Sequence, residues 1–193
     1  SQEQTKLISD FCKKKAQKGT VIFCDPIMGD DGILYNGVEE TTIDLMRELI
    51  SVADYIVPNY TEAAYLAKMP YQKDGYTEEE YRNMIEVLRA TGAKSVVITS
   101  AILKGTKQSA VVGYDHQLDS YFKIDFEEVP VRFPGTGDIF SAVFTGKILE
   151  GLPVVKATQK AMDVVKKMVE LNMNNVDKYK GIPLEMYLED LEG

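Results

Sequence analysis

A chain of 193 residues, 45% of them hydrophobic and 27% charged, has the length and composition of one folded domain with a sizeable core. Its formal net charge of −8 lacks the basic face that a nucleic-acid partner requires, and no apolar run reaches the length that spans a membrane. The two cysteines, Cys12 and Cys24, show no CxxC spacing, which fits free thiols in a reducing, cytoplasmic setting and excludes a disulfide framework or a thiolate metal site.

The chain opens in a helical pattern over residues 1–18, with Leu7, Ile8 and Phe11 on one face. Residues 20–24 form a short β-branched run that predicts a buried strand. The spacing of Ile43, Leu45, Met46, Leu49 and Ile50 predicts a helix over 41–52. A second short strand follows at 55–57, stopped by Pro58, and then a short helix over 61–68. Thr77 ahead of Glu78, Glu79 and Glu80 has the form of a capped acidic helix start, and that helix runs to about Thr91, where Gly92 ends it. Residues 95–99 predict a third buried strand. Residues 109–113 and 118–124 flank Tyr114-Asp115-His116-Gln117 as an antiparallel hairpin, with His116 exposed in its turn. Helices are expected over 138–150, from 153 to about 172, and over 184–191.

Helices alternating with short apolar strands predict an α/β fold with a mainly parallel sheet covered on both faces, extended at one side by the late hairpin. With no repeat, low-complexity stretch or linker, residues 1–193 read as a single domain.

The most informative stretch is Phe133-Pro134-Gly135-Thr136-Gly137-Asp138, followed by the apolar run Ile139-Phe140-Ser141-Ala142-Val143-Phe144. Two glycines let the backbone approach a ligand closely, and the helix behind them presents free N–H groups and a positive dipole end suited to phosphate. A carboxylate there either caps the helix or serves as a general base toward an attacking hydroxyl.

In an open α/β sheet, ligands bind beyond the carboxyl ends of the strands. The loops after the predicted strands carry Asp25-Pro26-Ile27-Met28-Gly29-Asp30-Asp31-Gly32, Pro58-Asn59-Tyr60-Thr61-Glu62 and Thr99-Ser100, and the hairpin leads through 126–133 into the glycine loop. The unusual polar residues therefore share one edge. Asp25, Asp30 and Glu62 form a carboxylate group suited to hydrated Mg²⁺. Asn59, Thr99 and Ser100 offer neutral groups to phosphate oxygens. Gly135, Thr136 and Gly137 would stabilise a transferring phosphoryl group, with Asp138 activating the acceptor alcohol. Singly, each has a plainer reading: a strand end, a turn, or an exposed acid at a helix start. GxxxxGK[ST] is absent, no GxGxxG follows the first strand, and a lone histidine in a turn leaves no histidine-based triad.

Taken in order, Asp25-Pro26-Ile27-Met28-Gly29-Asp30, Pro58-Asn59-Tyr60-Thr61-Glu62, Val97-Ile98-Thr99-Ser100 and Gly135-Thr136-Gly137-Asp138 resemble the pyridoxal kinases of the ribokinase-like superfamily. Gly181-Ile182-Pro183-Leu184 with Tyr187-Leu188 adds to the likeness, which covers essentially the whole chain. The resemblance implies a ribokinase-like three-layer α/β/α fold whose N-terminal strands are missing, the chain being the C-terminal, ATP- and phosphate-binding portion. It implies ATP-dependent phosphorylation of the 5′-hydroxymethyl group of pyridoxal, pyridoxamine or pyridoxine, with Asp138 as base. Asp25, the Val57 carbonyl, Asn59, Glu62, Thr99, Ser100 and Thr136 would contact ATP or its cations. Phe126 to Val129 would lie along the adenine, Asp30 near a metal and Tyr35 near the substrate. Mg²⁺ and K⁺ are the implied cations, and a homodimer the implied state of the full-length protein. The alternatives are a hydroxymethylpyrimidine kinase, whose motifs overlap, and a non-catalytic nucleotide-binding or association module. Residues 1–193 by themselves are expected to bind ATP weakly and not to phosphorylate pyridoxal; turnover by the isolated chain would contradict this.

Overall fold

The computed structural model describes residues 1–106, 108–175 and 177–187. The chain divides into two compact units, residues 1–126 and residues 127–193. The first unit runs α1 (Gln2–Ala16), β1 (Phe23–Cys24), β2 (Gly29–Asp30), β3 (Ile33–Leu34), α2 (Thr41–Ile50), β4 (Tyr55–Ile56), α3 (Tyr60–Ala67), α4 (Glu78–Ala90), β5 (Ser95–Leu103), β6 (Gln108–Asp115) and β7 (Ser120–Phe126). The second holds α5 (Thr136–Leu149), α6 (Val154–Asn172) and the short 3-10 turns Lys178–Lys180 and Leu184–Met186. The predicted helix over 184–191 is thus a single turn where it is described; Leu188 and the residues after it lie outside the described residues.

In the first unit, strands β1, β4 and β5 pair in parallel, and β6 and β7 continue the sheet as an antiparallel hairpin in the order β1-β4-β5-β6-β7. The fold is α/β, with the hairpin extending one side as the sequence predicts. Ile56, Val96 and Ile98 are fully buried with Leu66, Met84, Ile85 and Leu88 of α3 and α4. In the second unit, α5 packs on α6 through Ile139, Val143, Val164, Val165 and Met168, with Ile182, Leu184 and Tyr187 against the same cluster.

Four expectations change. The first strand is shorter than 20–24 and only half-buried, because β1 is the edge of the sheet and pairs on one side alone. Helix α1 turns Thr5 and Ser9 inward, and its apolar residues Leu7, Ile8 and Phe11 are exposed. The third strand does not stop at Thr99: its pairing with β6 is interrupted between Ile98 and Ala101 and then resumes to Leu103. The hairpin turn comes later than Tyr114-Gln117. Tyr114 and Asp115 stay in β6, where Tyr114 stacks edge-on against Tyr121 and the Asp115 carboxylate accepts the Gln117 and Leu118 N–H groups that close the turn. His116 is exposed, as expected.

Just past its bulge, β5 is held from α4. The buried Tyr81 hydroxyl donates to the Ile102 carbonyl at 3.1 Å and accepts the Ile102 N–H at 3.0 Å. Tyr81→Phe leaves that N–H without its partner in the core and is expected to cost about 1–2 kcal/mol, read as a lower urea midpoint at unchanged slope.

Candidate active site

Because β1, β4 and β5 run parallel, the loops after them leave the sheet at the same edge. Asp25 follows β1, Val57 to Asn59 follow β4, and Thr99 with Ser100 form the bulge in β5. Asn59 and Thr99 form a parallel bridge, and the Thr99 N–H donates to the Pro58 carbonyl at 2.9 Å. Val57 is buried, its N–H donating to the Cys24 carbonyl. Ser100 is exposed with φ 55°, a left-handed conformation that a serine adopts only under constraint. Phe126 pairs across β6, through Ser109, with Ile102, so it stands at the same edge.

Helix α3 begins one residue earlier than the pattern predicts, because Asn59 is its N-cap. The Asn59 side chain accepts the Glu62 N–H at 2.9 Å, and the Glu62 carboxylate accepts the Asn59 N–H at 2.9 Å, a closed capping box. The plain reading of Glu62 as an exposed acid fails: the residue is 3% exposed. Its other oxygen accepts the Met28 N–H at 2.9 Å and the Gly29 N–H at 3.5 Å. Burial is the main cause that pushes this carboxyl up to about 7; the three backbone donors oppose the shift, and the nearby Asp25 charge adds to it. The same burial, with Asp25 beside it, pushes the Cys24 thiol up to about 12, so this free cysteine is not a thiolate.

Residues 29–34, for which a turn is the plainer reading of the sequence, form the separate hairpin β2–β3. Asp31 and Gly32 both have positive φ, 50° and 82°, which is the two-residue mirror-image turn that Asp-Gly favours. Asp30 is exposed on this hairpin, its carboxylate accepting the Asp31 N–H at 2.9 Å, and Tyr35 just beyond is 46% exposed. Asp25 and Glu62 are thus brought together, while Asp30 sits on the hairpin. Among the described residues no three His, Cys, Asp or Glu side chains converge as a metal cluster. Mg²⁺ is still compatible with the donor set, since it takes one or two carboxylates and keeps several waters.

In the second unit the N-cap of α5 is Gly135, with φ 87°, and Asp138 stands in the first turn behind it. Asp138 is therefore not the cap, and its carboxylate is exposed. A Cβ placed on Gly135 would stand 3.7 Å from its Oδ2, so the acid turns back over the glycine loop. Among the described residues nothing lies within 4 Å of where a Cβ would stand on Gly137, which leaves the backbone open to close approach. Thr136 donates its hydroxyl to the carbonyl of buried Phe133 at 3.3 Å. Val129 is half-buried, its carbonyl accepting the Val131 N–H.

The profile of the phosphomethylpyrimidine kinase family matches residues 1–183. The chain belongs to this family. It is 35% identical over 129 residues to pyridoxal kinase of Arabidopsis thaliana, a match covering 64% of this chain and 39% of that protein. It is 29% identical over 145 residues to the Homo sapiens pyridoxal kinase, covering 67% and 45%. A Bacteroides thetaiotaomicron crystal structure, provisionally named a phosphomethylpyrimidine kinase and obtained with pyridoxal, superposes with a TM-score of 0.90 at 33% identity, over 100% of this chain and 68% of that one. Pyridoxal kinase from Lactobacillus plantarum superposes with a TM-score of 0.75 at 29% identity, over 89% of this chain and 61% of that one. The fold is thus the ribokinase-like α/β fold of these kinases. The chain spans about half the length of the curated relatives it matches.

Two residues of the site escaped the sequence reading. Thr61 and Tyr65, one turn apart on α3, both bond the backbone of Gly32; their i, i+4 spacing opposite an Asp-Gly turn was the available signal. The raised Glu62 carboxyl has a consequence for stability. The native state holds this proton more tightly than the unfolded chain, so the stabilisation is complete below pH 4.5 and is lost as pH rises through about 7. Relative to Glu62→Gln, wild-type unfolding free energy is expected to fall by on the order of 3 kcal/mol over that window; parallel urea titrations at pH 4.5, 6 and 8 check it, and parallel profiles contradict it.

Proposed function

We propose that this chain is the ATP- and phosphate-handling portion of a kinase that phosphorylates the 5′-hydroxymethyl group of a B6 vitamer. The observation that carries the reading is the convergence of Asp25, Asn59, Glu62 and Thr99 at the carboxyl ends of three adjacent parallel strands. The glycine-capped start of α5 with an exposed Asp138 supplies the second requirement, an anion-binding helix end with a base. Similar proteins named pyridoxal kinase, and a similar chain crystallised with pyridoxal, support the choice of vitamer.

In this reading residues 1–193 work as one domain. Asp138 takes the proton of the vitamer's hydroxyl as its oxygen attacks the γ-phosphorus, and the bond to the ADP oxygen breaks in line. The N–H groups of Gly135, Thr136 and Gly137 face the charge that develops on the phosphoryl oxygens. Asn59, Thr99, Ser100 and the Val57 carbonyl hold the triphosphate and its cations, Phe126 and Val129 border the adenine, and Tyr35 borders the vitamer. Asp25 and Glu62 hold hydrated Mg²⁺ with Asp30 nearby, and K⁺ would sit by Asp25 and Thr99. The metal's contribution is to neutralise phosphate charge that these acids would otherwise repel. A cytoplasmic homodimer completes the reading; among the described residues no helix is long and apolar enough to cross a membrane.

The family profile favours one alternative, phosphorylation of a hydroxymethylpyrimidine. Supplying the intact protein with ATP, Mg²⁺ and each vitamin separately decides between them: turnover restricted to the pyrimidine overturns the B6 reading. Asp138→Asn is expected to lower kcat by about 10² to 10⁴-fold while leaving ATP affinity within about twofold. Near-normal kcat would remove Asp138 as the base.

A further inference from the structure

The β2–β3 hairpin has little reason of its own to be ordered. Each strand is two residues long, it pairs with nothing in the main sheet, and Asp30, Asp31, Ile33 and Tyr35 are exposed. A lone hairpin of this size is marginal in water, and fixing its backbone costs conformational entropy. Leu34 packs against the core and the Tyr35 N–H returns to the carbonyl of buried Met28, while the turn itself is held from one face of α3. The Gly32 N–H donates to the Thr61 hydroxyl at 2.9 Å, and the Tyr65 hydroxyl donates to the Gly32 carbonyl at 3.0 Å, so both backbone polar groups at the turn are held from residues i and i+4 of one helix. At the root, the Asn59 amide donates to the Gly29 carbonyl at 2.8 Å beside the Glu62 contacts. Gly32 cannot be replaced here: its φ is 82°, and a Cβ would stand 2.5 Å from the Tyr71 ring. Thr61 itself is 2% exposed, so its hydroxyl is committed to this contact rather than to solvent.

We propose that Thr61 and Tyr65 are positioning residues, which clamp the turn of this hairpin so that Asp30 and Tyr35 are presented in fixed places to the nucleotide's cation and to the acceptor. The inference rests on the kinase reading for what the hairpin serves, and on the two hydrogen bonds to Gly32 for how it is held. The clamp acts on the site through Gly32 and touches no substrate. A clamp of this kind governs how well the cation–nucleotide complex is held more than the rate of the transfer itself, because Asp138 is not part of it.

The test uses the intact protein and three variants: Thr61→Val, Tyr65→Phe and Thr61→Ser. The dissociation constant for Mg·ATP is measured by calorimetry, KM and kcat with the preferred vitamer by turnover, and exchange of the Gly32 amide by mass spectrometry. The Val and Phe variants are expected to raise the Kd and KM for Mg·ATP by about tenfold, the loss of one or two hydrogen bonds, with kcat within about twofold and faster Gly32 exchange. Thr61→Ser, which keeps the hydroxyl, restores wild-type values. An unchanged Kd in both deletion variants overturns the proposal, as does a Thr61→Ser variant no better than Thr61→Val, since a packing role would not distinguish the hydroxyl. Absent vitamer turnover in the wild type overturns the substrate reading and leaves the clamp to be decided by the Kd and exchange data.

Discussion

The site depends on one buried carboxylate. Glu62 sits inside the first turn of α3, closes the cap of its own helix through the Asn59 N–H, and reaches the Met28 and Gly29 N–H groups in the loop after β1. A buried acid without partners is costly; here three backbone donors offset part of that cost, and in return two loops from neighbouring parallel strands are tied together. Asp25 is near enough to feel the Glu62 charge, so the two acids gather by the same arrangement that orders the backbone around them.

The strand ends supply the rest of that edge. The Asn59–Thr99 bridge resumes the parallel pairing three residues past the end of β4, and the bulge at Thr99 and Ser100 then turns β5 out of register before it resumes with β6. The left-handed Ser100 is the local cost of that turn, and the buried Tyr81 hydroxyl holds the strand just beyond it. A strand that ended at Thr99 would leave the same side chains without this support. The tyrosines behind it, Tyr60, Tyr76 and Tyr81, pack edge to face and spend their hydroxyls on backbone carbonyls at Gln72, Pro70 and Ile102. They are core residues with satisfied polar ends rather than candidates for chemistry.

The second unit makes its contribution by a different device. Gly135 in a left-handed conformation starts α5 without a side-chain cap, and Asp138 turns back over it from the first turn. The apolar face of α5 is fixed by α6, and the glycine loop stands at its N-terminal end. Phosphate-type chemistry suits such an end because the dipole and the free donors favour the same charge.

The alternation of helices and short apolar strands, the late hairpin, the capped start at Thr77 and the three polar loops at the ends of the parallel strands could be read from the chain alone. These rest on period, capping and turn chemistry, all of which act between residues a few positions apart. Tertiary structure alone decided that Glu62 is buried, that Thr61 and Tyr65 grip Gly32, that α1 turns its apolar residues outward, and that β5 continues past its polar interruption. Each of those depends on a partner far along the chain: Met28 for Glu62, 34 positions away, and Tyr81 for Ile102, 21 away. A single acid, threonine or tyrosine reads the same whether exposed or enclosed until the strands are placed side by side, because burial belongs to the assembled sheet and not to the residue.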